Sequence, residues 1–161
     1  MPHLLVHNGC YQMFYECNEL QNNIPTKLPE NFDDYAFGYM FFNNYKLSVA
    51  PELPATKLTT ACYNRLFYGC TSLTNAPELP ATKLTDFCYL DMFTNCTNLN
   101  NISVKFTSWK KNSTNNSDQT SNPSYGWLFN VALNGTFKCS AALPKEFGPD
   151  KIPEGWTVNT I

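Results

Sequence analysis

Seven cysteines, at 10, 17, 62, 70, 88, 96 and 139, are the residues of this chain best suited to chemistry. Thiolates can attack an electrophile, ligate zinc or close a disulfide. Their spacing limits those uses. Cys62 and Cys88 stand 26 residues apart, as do Cys70 and Cys96. No CxxC pair occurs, and no histidine lies near them, so a zinc site is the weakest of the readings. An odd number of thiols forbids complete internal pairing. Two readings stay open: a column of buried thiols acting as small hydrophobes, and a disulfide within each repeat, Cys62–Cys70 and Cys88–Cys96. The second requires that no continuous helix join the two partners, because eight helical residues span roughly 12 Å.

The remaining candidates are weaker. His3 and His7 have the i, i+4 spacing of a helical metal pair, but Pro2 precedes them and no third ligand lies close. Asp33-Asp34 reads as a polar turn. Glu52 and Glu78 share a repeat position, yet two carboxylates make a poor calcium cage. GxSxG, a phosphate-cradling glycine loop and HExxH are all missing from the sequence. The expectation is therefore no enzyme, no catalytic residue, no cofactor and no metal.

The cysteine spacing belongs to a larger repeat. APELPATKLT occurs at Ala50–Thr59 and again at Ala76–Thr85. Phe41–Leu47, Phe67–Leu73 and Phe93–Leu99 follow the same interval of 26, and Met13–Leu20 is a worn copy. A fixed period of this length predicts a solenoid. In each unit, Leu73, Ala76 and Leu79 with Pro77 and Pro80 predict an extended path with a short strand near Leu73–Ala76. Cys88, Tyr89, Met92 and Phe93, at i, i+1, i+4 and i+5, predict one face of a short helix N-capped by Thr85 or Asp86. Cys62, Tyr63, Leu66 and Phe67 repeat that face. The fold class expected is an α/β repeat solenoid, a leucine-rich-repeat-like right-handed stack of about four 26-residue turns (short strand, turn, short helix) with a C-terminal cap. The expected core is Phe41, Leu47, Cys62, Tyr63, Leu66, Phe67, Cys70, Leu73, Cys88, Tyr89, Met92, Phe93, Cys96 and Leu99.

As a whole this is one domain, with the solenoid at 1–102 (9–35 being a divergent first repeat) and a capping segment at 103–161. The cap holds a polar loop at 110–124, expected to be mobile, a short helix near 124–132, and strands at 102–106, 135–139 and 156–158. Trp109, Trp127 and Trp156 all fall in it, read either as a lid over the last turn or as an aromatic ligand platform. Only 15% of residues are charged and the net charge is −2, so nucleic acid and acidic membranes are not expected partners. No run is long enough to insert in a membrane, and no signal peptide opens the given chain.

Residues 62–99, CYNRLFYGCTSLTNAPELPATKLTDFCYLDMFTNCTNL, resemble the BspA-like leucine-rich-repeat surface proteins of gut Bacteroidota. Phe106–Trp109, Gly135–Cys139, Ala142–Gly148 and Ile152–Val158 are similar to segments that close such arrays, and similar cassettes occur in proteins of phages infecting those hosts. The resemblance is specific across about 60–100 and 135–158 and weak over 1–35, where Cys10 is shifted. Asn44-Tyr45 also stands where later copies have Cys-Thr. It implies an extracellular or cell-surface location, or a phage virion, and carries no catalytic residues.

Two functions are expected from these readings. One is a non-catalytic recognition or adhesion module binding a protein or glycan at a bacterial or host surface. Its contact positions would be Ser48, Val49, Glu52, Thr74, Asn75 and Glu78 on the strand side, and Asn64, Arg65, Leu90 and Asp91 on the helix side. The alternative is a structural spacer or assembly segment of a larger envelope or virion protein, self-associating through its solenoid ends.

Overall fold

A computed structural model describes residues 9–21, 23–111 and 121–161. His3 and His7 and most of the polar loop, 112–120, lie outside the described residues. Among the described residues there is no helix. The regular elements are three short strands, β1 (Asn101–Ser103), β2 (Thr136–Cys139) and β3 (Thr157–Thr160), forming one open parallel sheet in the order β1-β2-β3. The α/β solenoid with a helix in each turn is therefore overturned, together with its leucine-rich-repeat-like unit of strand, turn and helix.

In place of each expected helix is a ribbon of consecutive β-turns, at 34–43, 60–69, 86–95 and 123–130, with a further one at 9–16. The routing of backbone hydrogen bonds defines it. Asn64, Leu66 and Tyr68 donate their N–H groups three residues back, to Ala61, Tyr63 and Arg65, at 3.2–3.3 Å. The alternate residues Tyr63, Arg65, Phe67 and Gly69 donate to the next ribbon, at Cys88, Leu90, Met92 and Thr94, at 2.8–3.1 Å. A helix would send every N–H four residues back. Here half of them tie one ribbon to its neighbour. The same ladder joins 35–43 to 60–68 and 89–95 to 123–129.

This path requires a left-handed residue at every fourth position. Tyr35, Tyr39 and Asn43 have positive φ, as do Ala61, Arg65 and Gly69, and Phe87, Asp91 and Asn95. A residue with a Cβ costs roughly 1–2 kcal/mol in that region. Among the described residues eleven non-glycine residues adopt it, and the inter-ribbon hydrogen bonds offset the strain. The residues the ribbon is made of also explain why no helix competes. Tyr, Phe, Cys, Asn and Thr are weak helix formers, and segments this short do not hold a helix alone.

The apolar columns run through the stack. Phe14, Phe41, Phe67 and Phe93 stack ring on ring at centroid distances of 5.5–5.6 Å and interplanar angles of 1–9°. Leu47, Cys62, Tyr63, Leu66, Cys70, Leu73, Cys88, Tyr89, Met92, Cys96 and Leu99 are buried with the last three of these rings. Extended segments on the other side meet in isolated parallel bridges, Asn75 with Asn101 and Leu79 with Val104. Residues 123–130, expected in the cap, form a ribbon bonded like the others. Above it Asp150 accepts from the N–H of Gly126 (2.8 Å), and the Trp127 indole donates to the carbonyl of Lys151 (2.9 Å).

Candidate functional site: the outer face of the parallel sheet

Period-two alternation places Ile102, Phe137 and Val158 on the inner side of the sheet, where Phe137 meets Trp127 edge-on at 6.2 Å. The alternate residues face outward in two rows. Asn101 pairs with Thr136 and Thr136 with Thr157; Ser103 pairs with Lys138 and Lys138 with Asn159. Asn75 extends the first row, and Asn101 donates its amide to the Asn75 side-chain oxygen at 3.0 Å. Asn75 in turn donates to the Thr74 hydroxyl at 3.0 Å. Over this face lies an open depression of about 600 Å³, floored by Asn75, Asn101, Thr136, Lys138 and Asn159. Gly135 lies at its edge. A Cβ there would stand 2.6 Å from both the Asn100 carbonyl oxygen and the Trp156 ring, so packing requires glycine.

A second depression, about 410 Å³, adjoins along the extended segments. Pro51, Pro54, Pro77 and Pro80 line it with Glu52 and Glu78. Glu78 also forms an exposed ion pair with Lys105 at 3.2 Å.

The ten expected contact residues divide on this geometry. Ser48, Val49, Glu52, Thr74, Asn75 and Glu78 are all exposed; Asn75, bonded to Thr74, lines the sheet-face depression, and Glu52 and Glu78 line the second one. Asn64, Arg65, Leu90 and Asp91 are only partly exposed, on the ribbon side. Arg65 and Asp91 hold each other, with Nη2–Oδ2 at 2.8 Å and Nε–Oδ2 at 3.1 Å. The Arg65 guanidinium also donates to the Tyr39 hydroxyl and lies 5.3 Å from that ring's centroid. Two charges locked together are less available to a partner. Sequence reasoning missed Asn101, Thr136, Lys138 and Asn159. For Asn101 the signal was its interval of 26 from the expected contact Asn75; for the other three it was the alternation in Thr136-Phe137-Lys138-Cys139 and Thr157-Val158-Asn159-Thr160, stretches that the sequence reading places in the cap.

All seven thiols are unpaired by disulfides, so Cys62–Cys70 and Cys88–Cys96 are not bridges. Among the described residues no group of three or more His, Cys, Asp or Glu could hold a metal. Cys70 and Cys96 donate their S–H groups to the carbonyls of Phe41 and Phe67, at 3.1 and 3.0 Å. Asn44, where the repeat replaces Cys by Asn, donates its amide to the corresponding carbonyl of Phe14 at 2.8 Å. The column is a set of side-chain donors to the preceding ribbon, which explains that exchange. Desolvation pushes the Cys70 and Cys88 thiols up to about 12 and raises those of Cys62 and Cys96. Such thiols are poor nucleophiles at neutral pH.

The aromatic-platform reading of the tryptophans is overturned. Trp109, Trp127 and Trp156 are buried, and their indole N–H groups donate to the carbonyls of Pro144, Lys151 and Ala132 at 2.8–2.9 Å. Thr85 and Asp86 cap no helix. Thr85 donates to the Thr59 carbonyl (2.9 Å), and Asp86 pairs with Lys111 (2.8 Å). Among the described residues no helix is long and apolar enough to cross a membrane. No family model matches this chain, and no match was found among curated proteins or solved structures.

Proposed function

We propose that this chain is a non-catalytic recognition or adhesion module that binds a protein or glycan at a bacterial or host surface through the outer face of its sheet. The observation that carries this reading is the side-chain chemistry of that face. Short amides and hydroxyls stand in register across three strands and continue to Asn75 and Thr74, over an open depression large enough for several residues of a polymer. Rigid neighbouring strands fix these groups before a ligand arrives, which lowers the ordering cost of binding. The resemblance to BspA-like surface proteins supports a place outside the cell or on a phage particle. The test is binding of the labelled protein to gut bacterial cells, mucin and arrayed glycans. Saturable binding, lost on heating and weakened by joint substitution of Thr74, Asn75 and Glu78 with alanine, is the expected result. A folded sample that binds none of them sinks the reading.

One observation favours the structural alternative. Among the described residues β3 has a strand neighbour on one side only, so its far edge is open to another strand. An assembly segment could add a strand there, and sedimentation would then show association that rises with concentration. A strict monomer at high concentration speaks against it.

A further inference from the structure

The charge pattern of the sheet face identifies the class of ligand more narrowly, an inference that rests on the recognition reading above. Lys138 is the one charged residue lining the 600 Å³ depression; the others are asparagines, a threonine and a glycine. Its ammonium group has no carboxylate partner among the described residues. Most of the other cations do: Lys27 with Glu30, Lys46 with Glu19, Arg65 with Asp91, Lys105 with Glu78, Lys111 with Asp86 and Lys151 with Glu146. Lys145 is held by the carbonyls of Ser140 and Leu143 at 2.9 Å. Lys138 is therefore an unneutralised cation in the middle of a neutral, hydrogen-bonding surface, half-buried between Ser103 and Asn159.

Three features select among ligands. No exposed aromatic or aliphatic side chain lines the depression, whereas protein partners are usually anchored by such groups. Asparagine and threonine each offer both a donor and an acceptor, which matches sugar hydroxyls, themselves donors and acceptors on adjacent carbons. A single cation on a chain of net charge −2 gives little attraction for a polyanion such as nucleic acid, but suffices for one carboxylate. We propose that this face binds an oligosaccharide bearing a carboxylate, a uronic or sialic acid, with the carboxylate on Lys138 and the neighbouring hydroxyls on Asn75, Asn101, Thr136 and Asn159.

The experiment compares ligands that differ in charge alone. Oligogalacturonic acid and its methyl ester, and sialyllactose and its methyl ester, are titrated against the full chain by calorimetry. In each pair the acid is expected to bind at least about tenfold more tightly, the lower bound for a hydrogen bond to a charged group, and added salt should shrink that gap. Lys138→Gln should abolish the preference and Lys138→Arg should keep it, both with an unchanged urea midpoint. If acid and neutral sugar bind alike, or if Lys138→Gln leaves the preference intact, the inference is overturned. Binding to cells or mucin without binding to either acidic sugar also overturns it, while leaving the recognition reading standing. Failure of every ligand, cells and mucin included, removes both.

Discussion

At the scale of single residues, the repeat exposes a role for its cysteines that reactivity alone would miss. Cys70, Cys96 and Asn44 occupy one column and use different side chains to satisfy the same carbonyl position of the preceding ribbon. The thiols are thus structural donors, and burial holds them protonated. Two outcomes follow. With a disulfide-exchange reagent near neutral pH, exposed Cys17 and half-buried Cys10 should react quickly; Cys62, Cys70, Cys88, Cys96 and Cys139 should react only as the protein unfolds. A rapid native-state burst of more than two thiols would contradict this. The pH dependence has a definite sign. An unfolded thiol titrates near 9, while folded Cys70 and Cys88 are pushed up to about 12. Between those values the folded state holds more protons. The contribution to stability is fully present below pH 9 and is lost as pH rises toward 12. Its slope approaches about 1.4 kcal/mol per pH unit for each such thiol. A urea midpoint that stays level from pH 8 to pH 11 would show that the thiols titrate alike in both states.

At the scale of elements, the buried positions were legible in the sequence and the backbone was not. Cys62, Tyr63, Leu66 and Phe67 recur at i, i+1, i+4 and i+5, a spacing shared by a helix of 3.6 residues per turn and by this ribbon, whose left-handed residue returns every fourth position. Hydrophobic periodicity therefore identifies the inward side in either case. What separates the two is the destination of alternate N–H groups, and no local signal reports that. Tyr35, Ala61 and Phe87 are not residues that announce a positive φ. Asn43, Asp91, Asn95 and Gly69 were the available clue, recurring where the ribbon needs a left-handed residue. Asn95 offers a test that reverses sign between the two structures. Asn95→Ala and Asn95→Gly both lose the side-chain hydrogen bonds to Tyr68 and from Asn130, so their difference reports the backbone alone. At φ 63° the alanine variant should be the less stable by about 1–2 kcal/mol. In a helix the glycine variant would be the weaker by roughly 1 kcal/mol. Urea denaturation of the two variants decides it. The sheet face was hidden for a related reason. Asn101 stands 26 residues after Asn75, but Thr136 and Asn159 do not follow that interval, and only the strand register brings them beside it.

At the scale of the whole molecule, a ribbon bonds chiefly to its two neighbours, and stability must pass through the shared ring columns. Phe67 sits between Phe41 and Phe93 at 5.6 and 5.5 Å, fully buried. Phe67→Ala should leave a cavity bordered by three ribbons and cost about 3–5 kcal/mol, the range for a buried aromatic. Phe14→Ala should cost less, because Phe14 is only partly buried and stacks against Phe41 alone among the described rings. Hydrogen exchange distinguishes a coupled stack from independent layers. The amides of Phe41 and Phe67 are bonded to the carbonyls of Leu66 and Met92, so they report the two junctions on either side of the substituted ring. In a coupled stack Phe67→Ala lowers the protection of both amides by comparable factors, whereas Phe14→Ala loosens the junction between residues 10–16 and 36–42 and leaves the Phe67 amide nearly unchanged. Loss of protection confined to the Phe67 junction with Met92 would mean that each ribbon opens alone, and that the repeated ring contacts carry packing without coupling.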